Sequence, residues 1–219
     1  MKIIYEDEYI VVCIKPDGVL SQSNSGGGES AVSILHQLCS SEIYPIHRLD
    51  RTTLGVMVYA KQAKSAAILS RDVAEHNFKK KYVVIVHGIP DSPSGHMTDL
   101  LYFDRKKNKS YTVKRERAGV KKAELDYSLI SSFGEETEKV SMLDITLGTG
   151  RTHQIRVQCV SRGMPLLGDR RYGAADEFKR IALCAVSLEF KHPVNHQIMS
   201  FSIKDTQEYA DWENYFLKK

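Results

Sequence analysis

Several kinds of residue pattern are missing from this chain of 219 residues, and each absence removes a class of function. The four cysteines (Cys13, Cys39, Cys159, Cys184) never fall at Cys-x-x-Cys spacing, so neither a disulfide framework nor a zinc site is expected. Cys13, Cys159 and Cys184 stand in apolar surroundings and read as small buried hydrophobes, and Cys39 reads as inert. The eight histidines show no His-Glu-x-x-His pattern, which argues against a metal. No apolar run approaches the ~18 residues of a membrane span. The first residues, Met1-Lys2-Ile3-Ile4-Tyr5-Glu6-Asp7, are too acidic for a signal peptide, so a cytoplasmic protein is expected. There is no internal repeat, no low-complexity linker and no Ser/His/Asp arrangement. Gly26-Gly27-Gly28, in a loop from Ser21 to Ser30, lacks the lysine and helix register of a phosphate cradle and reads as flexible surface.

What is present is ordinary globular composition, with 42% hydrophobic and 26% charged residues, but with charge unevenly placed. Arg105 to Lys122 holds nine basic residues against one acid, Glu116, while the whole chain carries only +4. Such a window reads either as a solvated basic hairpin or as a patch for a polyanion.

Apolar runs at Ile3–Tyr5, Tyr9–Ile14, Val83–Val86, Lys122–Ile130, Lys139–Leu147, Val186–Phe190 and Ile198–Ile203 predict strands. Phe133-Gly134-Glu135-Glu136 reads as an acidic turn. Helices are expected after a Ser30 cap, with Val32, Leu35 and Leu38 on one face, and over Ala63 to Phe78. Another is expected from near Thr152 to near Gly163, and a last one after an Asp205 cap. Hairpin-like pairs dominate and no regular βαβ rhythm appears. The fold class is therefore α+β, a mixed, largely antiparallel sheet with flanking helices, in one domain over 1–219. The basic segment near 102–122 is an excursion from it.

Two polar concentrations stand out. His47-Arg48-Leu49-Asp50-Arg51-Thr52-Thr53-Leu54-Gly55 places a carboxylate between two arginines where a loop hands over to a strand. Nearby cations favour the ionised form of Asp50. It can equally be a structural turn residue, and local composition does not choose. Gly148-Thr149-Gly150-Arg151-Thr152-His153-Gln154-Ile155-Arg156 places an arginine at a tight turn before a helix, which suits an anion. Two-carboxylate glycoside chemistry needs a partner acid, and no other carboxylate has a comparable context. From the residues alone the result is an anion-handling cleft with one activated aspartate.

The segment His47 to Gly55 resembles the signature of the RluA family of RNA pseudouridine synthases. The likeness extends through Asp7 to Lys15-Pro16-Asp17-Gly18, Lys81-Tyr82, Thr149 to Arg156, Gly163, Pro165, Gly168-Asp169, Tyr172-Gly173 and His192-Pro193. The resemblance implies a pseudouridine synthase fold with a central active-site cleft, an isomerase needing no cofactor, and tRNA or rRNA stem-loops as partner. No obligate protein partner is evident and a monomer is expected. It implies Asp50 as nucleophile, Arg151 as its ion-pair partner, and Tyr82 packed against the flipped base. Arg48 would fill the space that base leaves, and Ile155 would line the uracil pocket. His47 and Arg51, counted with the substrate-binding residues, would shape or neutralise the loop. Lys106, Lys107 and Lys109 would contact RNA, since the motifs begin near residue 7 and leave no room for the separate RNA-binding module of larger relatives. Leu54, Gln158 and Cys184 depart from the residues common at their positions. A non-catalytic RNA-binding protein or chaperone on the same fold is the alternative, and a nucleoside hydrolase a further one.

Overall fold

A computed structural model describes residues 1–23, 29–135 and 139–217; the triglycine and Glu136 of the acidic turn lie outside them. The elements run β1 (Lys2–Glu6), β2 (Ile10–Lys15), α1 (Ala31–Cys39), β3 (Tyr44–Pro45), β4 (Leu54–Ala60), α2 (Ala63–Ala74) and β5 (Lys79–His87). Then follow β6 (Ser94–Asp104), β7 (Lys109–Val113), β8 (Val120–Phe133), β9 (Val140–Leu147) and α3 (Gln154–Val160). After a 3₁₀ turn at Arg170–Tyr172 come β10 (Leu183–Lys191), β11 (Ile198–Ser202) and α4 (Gln207–Leu217). The chain divides into two compact units, Met1–Lys80 with Cys184–Tyr215, and Lys81–Leu183 with the residues from Phe216.

In the first unit β1, β2 and β4 are antiparallel neighbours, and β4 runs parallel to β10, with Leu54 opposite Cys184 and Gly55 opposite Ala185. β11 adds antiparallel to β10, and β3 to β4. β2 and β4 are buried along their whole length, which explains apolar residues at consecutive positions rather than strict alternation. Gly55 has φ +155, and a Cβ there would come within 2.4 Å of Ala185 Cβ, so the parallel pairing requires glycine. Two of the three departures from the family pattern, Leu54 and Cys184, are thus register partners.

The second unit is an antiparallel meander in the order β5-β9-β8-β6-β7. The basic segment forms the β6–β7 hairpin and the entry to β8. The sheet is therefore mixed and largely antiparallel within an α+β fold, as expected.

Three local expectations change. α2 stops at Ala74 because His76 takes a left-handed φ of 61°, and Phe78 turns inward onto Phe190, ring centroids 5.3 Å apart. α4 is capped by Thr206, whose Oγ1 accepts the Tyr209 N–H at 3.4 Å, not by Asp205. On α1 the Ser30 cap holds, forming a reciprocal box with Ser33, but the buried residues are Ala31 and Leu35 while Leu38 is exposed.

Candidate active site

In the first unit the loop bearing Asp50 is fastened on both flanks. Before it, Ser21 Oγ donates to Leu49 O at 2.8 Å and accepts the Leu49 N–H at 3.0 Å. After it, Arg51 O accepts the Gly18 N–H at 2.8 Å, and Thr53 N–H donates to Asp50 O at 3.0 Å. Asp50 itself is half-buried and Arg48 is exposed. Arg51 Nε donates to Gly18 O at 2.8 Å, which makes its guanidinium a brace between the two loops.

His47 is buried: Nε2 accepts the Val58 N–H at 3.2 Å and the ring stands edge-on to Phe78. Burial, helped by the Lys80 charge, holds its pKa well below the ordinary 6.5, so it stays neutral. Of the two parts expected of His47, shaping the loop fits a buried, uncharged ring and neutralising it does not.

Lys15 ends β2 fully buried. Its ammonium donates to Pro16 O at 2.8 Å, Val19 O at 2.9 Å and Arg51 O at 3.3 Å. Burial pushes its pKa down to about 8, opposed by the charges of Asp17 and Asp50. The sequence motif contains Lys15 but assigns it no part in the site. The available signal was a lysine directly after five apolar residues and before Pro16, where the strand has no open face for it.

In the second unit the turn bearing Arg151 is stitched to β8. Gly148 and Thr149 N–H groups donate to Glu124 O at 3.0 and 3.1 Å, and Thr149 Oγ1 accepts the Glu124 N–H at 2.9 Å. Gln154 gathers the turn, its Oε1 accepting from Thr149 Oγ1 and the Arg151 N–H, its Nε2 donating to Glu124 O. Arg151 Nε donates to Lys122 O at 2.9 Å. Ile155 is buried in α3, and Tyr82 is buried on β5 opposite Ile145 of β9.

Arg156, in the same motif, is structural. It forms a buried two-bonded pair with Asp169, 2.6 and 2.7 Å, and its guanidinium lies 4.9 Å from the Tyr172 ring centroid. Tyr172 Oη accepts the Ser110 N–H at 2.8 Å and lies 3.0 Å from His153 Nδ1. Ser110 Oγ donates to Thr152 O, so one network joins the base of the basic hairpin to the Arg151 turn. Gln158, the third departure, donates to Asp99 Oδ2 at 2.7 Å.

The hairpin's three lysines separate. Lys106 and Lys107 are exposed, their backbone N–H groups held by Asp104 Oδ1 and the Lys107 carbonyl by Arg171 Nη1 at 3.4 Å. Lys109 is half-buried, its ammonium 4.9 Å from the Tyr172 centroid and bonded to Arg171 O at 2.7 Å. Between hairpin and turn lies a cleft of about 740 Å³ bordered by Tyr102, Arg105, Lys106, Lys121 and Arg151. Four cations and an aromatic ring suit phosphates and bases. Among the described residues no group of three or more His, Cys, Asp or Glu could hold a metal ion.

Comparison with known proteins assigns these features to a family. A family model described as RNA pseudouridylate synthase matches residues 9–161. The chain is 32% identical over 202 residues to "Ribosomal large subunit pseudouridine synthase C" of Buchnera aphidicola subsp. Schizaphis graminum, covering 87% of this chain and 63% of that one. It is 32% identical over 206 residues to "Dual-specificity RNA pseudouridine synthase RluA" of Salmonella typhimurium, covering 92% and 91%. The chain thus spans nearly all of the second relative but under two thirds of the first. The solved human "RNA Pseudouridylate Synthase Domain Containing 1" shares the fold at TM-score 0.76 and 22% identity, over 92% of this chain and 82% of that one. The chain belongs to the RNA pseudouridylate synthase family, in its RluA branch.

Proposed function

We propose that this protein converts specific uridines in structured tRNA or rRNA to pseudouridine, with Asp50 as the nucleophile. The supporting observation is the Asp50 loop, held on either side while the carboxylate-bearing residue stays half-buried rather than sealed in. In this reading the target nucleotide swings out of its stack, at a cost of a few kcal/mol, and Arg48 fills the vacated space. Asp50 attacks the nucleotide as the bond from C1′ to N1 breaks, and its own bond to the nucleotide breaks in turn when C1′ bonds to C5. The C5 proton leaves and N1 gains one, so nothing is consumed and no cofactor is required. Arg151 serves as the ion-pair partner of Asp50 and Tyr82 packs on the base, as the resemblance implies. The cationic cleft of the second unit takes phosphates along the RNA backbone. The curated relatives' names point to ribosomal large-subunit RNA and, for the dual-specificity enzyme, to more than one RNA substrate.

The test is tritium release from RNA labelled at uridine C5, run on total tRNA and on rRNA fragments. Release with pseudouridine in the digested product supports the reading. Binding without release from any RNA would leave a non-catalytic RNA-binding protein. Free uracil would mean a hydrolase.

A further inference from the structure

Ser21 lies far from Asp50 in sequence and carries no motif, yet its hydroxyl takes up both backbone groups of the residue before Asp50. Oγ donates to Leu49 O at 2.8 Å and accepts the Leu49 N–H at 3.0 Å. A serine hydroxyl has one proton and two lone pairs, so this pair of bonds uses its donor and one acceptor. The result is a side chain acting as a one-residue strand partner. Ser21 is itself buried, and its carbonyl accepts the hydroxyl of fully buried Tyr59 at 2.9 Å. Tyr59 is in β4, the central strand of the same unit, so the clamp is anchored to the sheet and not to surface. Beyond Asp50 the chain is caught again, by Gly18 N–H on Arg51 O. Ser21 and Gly18 belong to the stretch that leaves β2, so one short segment grips the Asp50 loop on each side.

We propose that Ser21 is a positioning residue for the reaction at Asp50: its hydroxyl sets the backbone from which the carboxylate is aimed at the nucleotide. The proposal rests on Asp50 being the nucleophile. Without the hydroxyl, the buried N–H and carbonyl of Leu49 have no side chain to hold them and the loop is free to settle elsewhere, while the RNA-binding surfaces are unchanged. Displacing a reacting group by about 1 Å can cost about a hundredfold in rate.

The experiment measures single-turnover tritium release and RNA affinity for wild type, Ser21→Ala, Ser21→Thr, Ser30→Ala and Asp50→Asn. Ser30→Ala removes the α1 cap and serves as a stability control: among the described residues its hydroxyl bonds Ser23 and Ser33 and no residue of the Asp50 loop. In Ser21→Ala the rate is expected to fall about tenfold to a hundredfold with RNA affinity held within about twofold. Ser21→Thr, which keeps the oxygen, recovers most of the rate, and Ser30→Ala reacts as wild type. If Ser21→Ala does not fold, Ser21→Cys, whose longer and weaker thiol bonds loosen the clamp, is read in the same way. A wild-type rate in the Ser21 variants beside an inactive Asp50→Asn overturns the positioning role alone. So does a rate loss matched by Ser30→Ala at equal loss of melting temperature. An Asp50→Asn protein that turns over at the wild-type rate instead removes the nucleophile, and the positioning role with it.

Discussion

His192 Nε2 lies 2.9 Å from Asp7 Oδ2, while its Nδ1 accepts the Val194 and Asn195 N–H groups at 3.3 and 3.2 Å. Two N–H donors on Nδ1 place the ring proton on Nε2, which donates it to the carboxylate. The first and last segments that resemble the family are therefore one structural joint. Asp7 also accepts the Tyr9 and Ile10 N–H groups and the Tyr5 hydroxyl.

Asp7→Ala should destabilise the first unit by about 1–3 kcal/mol, because donors at a partly buried site are left without their acceptor. Burial opposes ionisation of Asp7, but the Tyr9 and Ile10 N–H groups, Tyr5 and His192 outweigh it and lower its pKa from 3.8. Its contribution is present above the unfolded value of 3.8 and is lost as pH falls below it. Urea unfolding at pH 7 and below pH 4 should show the variant's deficit shrinking in acid.

His47 acts in a different window. The unfolded chain takes up a proton near pH 6.5 that the buried ring refuses, so stability should fall as pH drops below 6.5. The slope from this residue alone approaches about 1.4 kcal/mol per pH unit. His47→Gln, which keeps an acceptor for the Val58 N–H, should flatten the urea midpoint between pH 6.5 and 5. An unchanged slope would mean that the acid loss comes from other groups.

How legible the candidate site is in the sequence differs from residue to residue. Asp50 and Arg151 announce themselves because charged residues and glycines crowd within a few positions. The buried strands do so because five apolar residues in a row have few other uses. Ser21 and the Arg156–Asp169–Tyr172 network do not, since their partners lie 13 to 62 residues away, and Lys15 does not because its link to the Asp50 loop runs through Arg51 O, 36 residues on. The same holds for the end of α2. Helical spacing carries the pattern on to Phe78, and rings far along the chain, Phe190 and His47, give that ring a reason to leave the helix. Asp205 and Thr206 are both good caps, and which one closes α4 depends on one residue of register.

At alkaline pH the fully buried Lys15 and the half-buried Lys80, both pushed down to about 8 by desolvation, should make the protein more stable as pH rises from 8. There the folded state has released protons that the unfolded chain holds up to 10.5. Above pH 9 buried Cys13 and Cys159 work the other way, since burial lifts their thiols to about 12. A rise in urea midpoint between pH 8 and 9 that levels off above 9 is expected. Lys15→Met should weaken the rise and turn the plateau downward.

The basic hairpin yields the sharpest division between binding and stability. Lys106 and Lys107 present exposed ammonium groups, so the double change to alanine should weaken RNA binding and leave the melting temperature near wild type. Each ammonium–phosphate pair removed lowers the slope of log affinity against log salt by about 0.7–0.9. Lys109→Ala should do the reverse, because its ammonium is committed to the Tyr172 ring and to Arg171 O. Removing that ammonium costs about 1–2 kcal/mol of stability and leaves the salt slope as it was. Titrations of one labelled RNA at several salt concentrations, paired with thermal melts, separate the two. If Lys109→Ala lowers the slope as much as the other pair, the lysine turns to phosphate when RNA arrives and the hairpin base rearranges on binding.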